Sequence, residues 1–174
     1  VVESVFLSRD KPEFPFQACG RLNFLSAKVG GSFFIVNARL CPGPDYIGLL
    51  GRGGPVALNL QQVRVSNALI MIGIGAMEPG DQTTRTDTIK PVEGWYTCAG
   101  AHTNTLILHV ETGWPALGFL DIDGMSYERV RHVGGGDLVA ASRKWLRYQF
   151  VNGRPDAATY RPQPYEQLTR ALRN

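Results

Sequence analysis

Leu22-Asn-Phe-Leu-Ser-Ala-Lys-Val29 and Phe33-Phe-Ile-Val-Asn-Ala-Arg-Leu40 are one phrase written twice, apolar on apolar and basic on basic. The phrase returns as Leu58-Asn-Leu-Gln-Gln-Val-Arg-Val65, then as Leu69-Ile-Met-Ile-Gly-Ile-Gly-Ala76, and in degraded form as Leu120-Asp-Ile-Asp-Gly-Met-Ser-Tyr127. In all five copies the first, third, sixth and eighth positions are apolar, with Ala counted as such. Strand side chains alternate with period two, so positions one and three share a face, as do positions six and eight. Between them two residues turn a corner, and small or polar residues at the second of these places suit a corner in water. A helix asks for apolar residues at i, i+3, i+4 and i+7, a different pattern.

Short internal repeats imply stacked units, none of which buries its apolar face alone. The expectation is therefore a mainly β fold: a right-handed parallel β-helix (solenoid) with a C-terminal α-helical cap. Residues 1–133 would form the solenoid, with inserted loops at 41–55 and 77–104. Residues 134–174 would form the helical cap of the same unit. Both loops are marked by Gly and Pro. After Gly134-Gly-Gly136 the period changes, and Asp137 offers an N-cap. Leu138, Ala141, Trp145 and Leu146 then make an apolar helical face, with Arg143, Lys144 and Arg147 on the other side. A second helix is expected from Pro164, with Tyr165, Leu168 and Leu172 on one side and Arg170 and Arg173 near its end.

Composition sets bounds without naming a function. The 174 residues are 44% hydrophobic and 19% charged with a net charge of +3, as in an ordinary globule with one core. No apolar run reaches the roughly 20 residues that span a bilayer. Cys19, Cys41 and Cys98 are three cysteines at wide spacing without a CxxC, which fits reduced thiols in a cytoplasmic setting.

The chain resembles a bacterial family commonly labelled "membrane-associated oxidoreductase", whose members carry pentapeptide-like β-helical repeats. The resemblance rests on Ser26-Ala-Lys-Val-Gly-Gly31, Gly113-Trp-Pro115, Leu120 to Tyr127, Trp145-Leu-Arg147 and Tyr160-Arg-Pro-Gln-Pro-Tyr-Glu-Gln-Leu168. It implies a redox activity and a membrane surface as an associate, and it carries no catalytic residue to any position here.

The residues themselves offer few chemical sites. Gly73-Ile-Gly-Ala-Met-Glu78 resembles the start of a dinucleotide loop but lacks the third glycine and the following helix, so no cofactor is expected. Asp121-Ile-Asp-Gly-Met-Ser-Tyr-Glu128 has its glycine in the wrong place for a calcium loop, and no metal is expected. His109 and Glu111 share a face of a strand expected over 105–112, with His102 in the loop before it; two solvated positions account for the pair better than a site does. Cys98 beside Tyr96 and His102 lacks a nucleophile signature. Lys28, Arg39 and Arg64 hold the seventh phrase position, and Lys28 with Arg64 begins a basic ladder that Gly75 and Ser126 do not continue. Trp95 and Tyr96, read as exposed in a Gly-rich loop, are the expected anchors for a partner, with covering of the wall as the alternative.

The functional expectation is a non-catalytic β-solenoid scaffold or binding module that presents a wall and loops to a macromolecular partner, taken to be a protein. Nucleic acid is disfavoured by the mild and dispersed charge. The alternative is the oxidoreductase of the family label.

Overall fold

A computed structural model describes residues 2–7, 16–42, 54–76, 91–109, 112–134, 136–155 and 159–173. In chain order its strands are β1 (Val5–Leu7), β2 (Phe16–Cys19), β3 (Leu22–Asn23), β4 (Lys28–Val29), β5 (Phe33–Val36), β6 (Ala38–Cys41) and β7 (Val56–Asn59). They continue with β8 (Arg64–Ile72), β9 (Gly75–Ala76), β10 (Trp95–Thr97), β11 (His102–Leu108), β12 (Leu120–Asp121) and β13 (Ser126–His132). Helices α1 (Leu138–Leu146) and α2 (Gln163–Ala171) follow, with a 3-10 turn at Arg147–Gln149 after the first. A six-stranded sheet has the order β1-β5-β8-β11-β13, with β4 also paired to β8. A four-stranded sheet runs β12-β10-β7-β3, and a three-stranded one β2-β6-β9. Among the described residues every pairing is parallel, so each strand meets a partner delivered by a long crossover.

The repeated phrase owes its spacing to one turn that recurs. Ala27 N donates to Phe24 O at 2.9 Å, Val63 N to Leu60 O at 3.2 Å, Ala101 N to Cys98 O at 3.0 Å and Met125 N to Ile122 O at 3.0 Å. The third residue of each turn is left-handed: Ser26 has φ 58°, Gln62 57°, Gly100 65° and Gly124 70°. That conformation suits the third place of a type II turn and favours glycine, which two of the four supply. Neighbouring turns join through Ser26 N to Gln61 O (2.9 Å), Gln62 N to Ala99 O (2.9 Å) and Gly100 N to Asp123 O (2.9 Å). Beside them a polar ladder runs from the exposed Asn23 to the buried Asn59 and Thr97: Asn59 Nδ2 donates to Asn23 Oδ1 at 2.9 Å, and Thr97 Oγ1 to Asn59 Oδ1 at 3.1 Å.

The expected mainly β, right-handed parallel β-helix with a helical cap is corrected by this arrangement. The structure is mixed α/β: several distinct parallel sheets and two short helices. The helices are part of the core, since Trp145, Leu146, Leu168 and Ala171 belong to the same buried cluster as the strand residues Phe33, Leu58 and Leu106. The phrase misled because it encodes only alternation plus a turn, which parallel strands in separate sheets also need. Its 11-residue period does not survive as a uniform rise. Paired residues lie as near in sequence as Phe16 and Ala38 and as far as Val56 and Trp95, and the nine-residue β8 pairs with both β4 and β5.

The loop expected at 77–104 is corrected over its described part, because Trp95–Thr97 and His102–Leu108 are strands. Tyr96-Thr-Cys-Ala-Gly-Ala-His-Thr103 is a further copy of the phrase, with Tyr96 paired to Leu58 and Leu120, and Thr103 to Val65 and Tyr127. The polar Thr103 in an apolar position hid it. Residues 77–90, and 43–53 of the other expected loop, lie outside the described residues.

Both helices form where the sequence places them. The Asp137 side chain accepts from Val139 N at 2.9 Å, as an N-cap should. Trp145 is fully buried, with ring centroids 5.5 Å from Trp114 and 6.1 Å from Tyr127. Helix α2 lies against β13, where Gln163 Nε2 donates to Met125 O (2.9 Å), Gln163 Oε1 accepts from Gly124 N (3.1 Å), and Gln167 Nε2 donates to Tyr127 O. Two side-chain amides thus take up backbone groups that no further strand meets.

Candidate functional site

Alternation along the six-stranded sheet sorts its side chains into two faces. Phe33, Ile35, Leu69, Met71, Leu106 and Leu108 are buried in the core, so Phe34, Val36, Ile70, Ile72 and Ile107 point the other way. Parallel register then aligns these outer residues. Phe6 pairs with Phe34, Phe34 with Ile70, Ile70 with Ile107 and Ile107 with Arg131, one row across five strands. Strands sit about 4.8 Å apart, so the row runs roughly 19 Å. Phe6 is 65% exposed and stacks on Phe34 with centroids 4.6 Å apart and planes 8° apart.

A second outer row consists of Lys28, Arg64, His102 and Ser126. Lys28 and Arg64 are exposed. His102 Nδ1 lies 3.0 Å from Ser126 Oγ, which fixes the ring beside the guanidinium strand position. His102 stands between Arg64 and Ser126 in this row, and the basic ladder begun by Lys28 and Arg64 ends at Ser126, as expected. Between the two rows along the strands is a depression of about 350 Å³ lined by Asn67, Asn104, Glu128, Arg129 and Arg131 among others. The face thus combines an apolar strip, a polar hollow and a basic border.

Other sequence-expected residues are not gathered into a site. Trp95 and Tyr96, expected to be exposed anchors, are buried at 7% and 0% exposure, a correction with a clear cause: β10 is an inner strand between β7 and β12. Trp95 packs edge-on to Phe119 at 5.6 Å, and burial pushes the Tyr96 phenol well above its ordinary range. Both cover the interior instead of anchoring a partner from a loop. Strand β11 begins at His102 and ends at Leu108, so His109 lies past it and His102 opens it. The strand expected over 105–112 is shifted accordingly. Seven residues of extended chain separate the two histidines by about 23 Å, so they share no site. His109 Nδ1 is 2.7 Å from Thr112 Oγ1, and its ring lies over His132 at 6.2 Å. Glu111 lies outside the described residues.

Cys98 is buried, and desolvation, with Asp121 nearby, pushes its thiol up to about 12, leaving it protonated and inert as a nucleophile. Gly73 is the left-handed corner between β8 and β9, and its carbonyl accepts from Arg39 at 3.1 Å. Asp121 Oδ1 accepts from Asp123 N at 3.2 Å, closing a turn of the kind acidic residues favour. Among the described residues no cluster of three His, Cys, Asp or Glu is placed to hold a metal. No helix among them is long and apolar enough to cross a membrane.

Phe34, Ile70 and Ile107 were missed from the sequence, although a signal was present. The second phrase position is polar in the copies beginning at Leu22, Leu58 and Leu120 and apolar at Phe34 and Ile70. These outward apolar residues are half-buried, and with the exposed Phe6 they make a partly exposed strip. Comparison with known protein families, with curated proteins and with solved structures finds no match to this chain.

Proposed function

We propose that the protein is a binding module whose outer six-stranded face receives a protein partner. The observation that carries this reading is the row Phe6, Phe34, Ile70 and Ile107, apolar side chains in unbroken register on the face turned away from the core. Contiguous apolar surface rimmed by polar groups is the pattern of a protein-contact site, and aromatic residues are its usual anchors. The Lys28, Arg64 and His102 row borders it, so the partner presents an apolar ridge with carboxylates alongside.

The test compares what wild-type protein and a Phe34→Ser/Ile107→Ser double variant retain from an extract of the native host, with Arg64→Glu as a third bait. The reading expects a defined protein held by the wild type, lost with the double variant and weakened by Arg64→Glu. Identical recovery from all three baits would overturn it. Absorbance of the purified wild type belongs to the same experiment. A copurifying flavin or nicotinamide would replace this reading with the redox activity that the family resemblance implies.

A further inference from the structure

The helical end of the molecule holds a second feature that shares no residue with the sheet face. A cleft of about 1070 Å³ opens between residues 116–117, the end of α1 with its 3-10 turn, and the start of α2. Arg143, Lys144, Arg147 and Arg154 line it, together with Tyr148 and Tyr165. Its described lining residues include no carboxylate.

Local helix electrostatics accounts for part of this charge, because Arg143 and Lys144 occupy the last turn of α1, where the backbone dipole favours cations. It extends to Arg147, the C-cap of α1, but does not account for Arg154, on a separate segment. The Arg147 charge also reaches the far wall. Burial raises the Tyr165 phenol above its ordinary value, Tyr160 adds to the rise, and Arg147 opposes it. Tyr160 and Tyr165 pack with centroids 5.3 Å apart and their planes tilted by 40°, and Leu117 is 44% exposed at the same cleft.

Guanidinium forks match phosphate oxygens in pairs, while tyrosine rings and an aliphatic side chain offer surface to a flat apolar group. The volume is of the order of sites that enclose small organic ligands and far exceeds what one inorganic phosphate fills. We infer that this cleft binds a nucleotide-sized organic phosphate, its phosphates on Arg143, Arg147 and Arg154 and its ring against Tyr148, Tyr165 and Leu117.

Calorimetric titration with ATP, tripolyphosphate and adenosine tests the assignment on the full chain. ATP should bind in the micromolar to millimolar range, with tripolyphosphate and adenosine each weaker by about 10-fold or more, since each makes only part of the contacts. Arg147→Glu with Arg154→Glu should weaken ATP by at least about 10-fold, the loss of charge-assisted hydrogen bonds to phosphate. Both side chains are exposed, and circular dichroism of the variant checks the fold; Arg147→Gln is the milder substitute should the double reversal unfold. No heat with millimolar ATP, tripolyphosphate binding as tightly as ATP, or ATP affinity unchanged in the variants would each overturn the assignment.

Discussion

The two edges of the six-stranded sheet are handled differently. At β13 the open backbone is covered by α2, whose Gln163 and Gln167 amides bond Met125 and Tyr127 carbonyls, while Trp145 of α1 packs against Tyr127 from the core side. At β1 the edge is a three-residue strand, and its central Phe6 is 65% exposed, resting on Phe34. Unpaired strand edges invite further pairing, and covering one with a helix or keeping it short are separate remedies. One edge has the first remedy and the other the second. The covered edge is tied into the buried core through Trp145 and Leu168, whereas the short edge leaves Phe6 exposed.

Removing the anchor of the covered edge should have the largest effect. Trp145→Ala empties a fully buried site between Trp114 and Tyr127, and should cost about 3–5 kcal/mol by denaturant unfolding. A loss under about 1 kcal/mol would mean that the helices are appended to the sheet and do not belong to its core.

Alkali should attack the same interior. Desolvation raises the buried Cys98 thiol from 9.0 to about 12, and burial also holds Tyr127 above its ordinary value of 10.0. The unfolded chain loses these protons first, so stability is complete below pH 9 and falls as pH rises from 9 through about 12. Urea midpoints measured across that range should decline, and Cys98→Ala should flatten the first part of the decline.

Gln167 is the next probe. It is 7% exposed and serves the Tyr127 carbonyl, so Gln167→Ala should cost about 1–3 kcal/mol by leaving that oxygen unsatisfied. At the other edge Phe6→Ala should cost less than about 1 kcal/mol, because most of the ring is already in water. Equal losses for the two substitutions would erase the contrast between edges.

Much of this arrangement was legible in the sequence at the level of the local step. The left-handed turn residues Ser26, Gln62 and Gly124 all stand at one phrase position, and alternation correctly sent Phe33 and Leu69 inward. The Asp137 cap was equally plain. What alternation could not report is which distant strand each segment meets, or how many sheets result. That depends on crossover lengths, and they vary from one pairing to the next. Trp95 and Tyr96 were misplaced for the same reason: Gly-rich surroundings suggested a loop, whereas β7 and β12 enclose them. The outer apolar row is hidden because the copies share only their inward positions. Gln163 and Gln167 look like solvated helix residues until the sheet edge beside them is known.

Native-state hydrogen exchange, resolved to single amides, tests the contrast most directly. The account predicts that amides donated within the β11–β13 ladder exchange only through global unfolding, at a free energy equal to that from denaturant melts, while those of Val5 to Leu7 exchange through local opening and orders of magnitude faster. Equal protection at the two edges, or faster exchange at β13 than at β1, would contradict it.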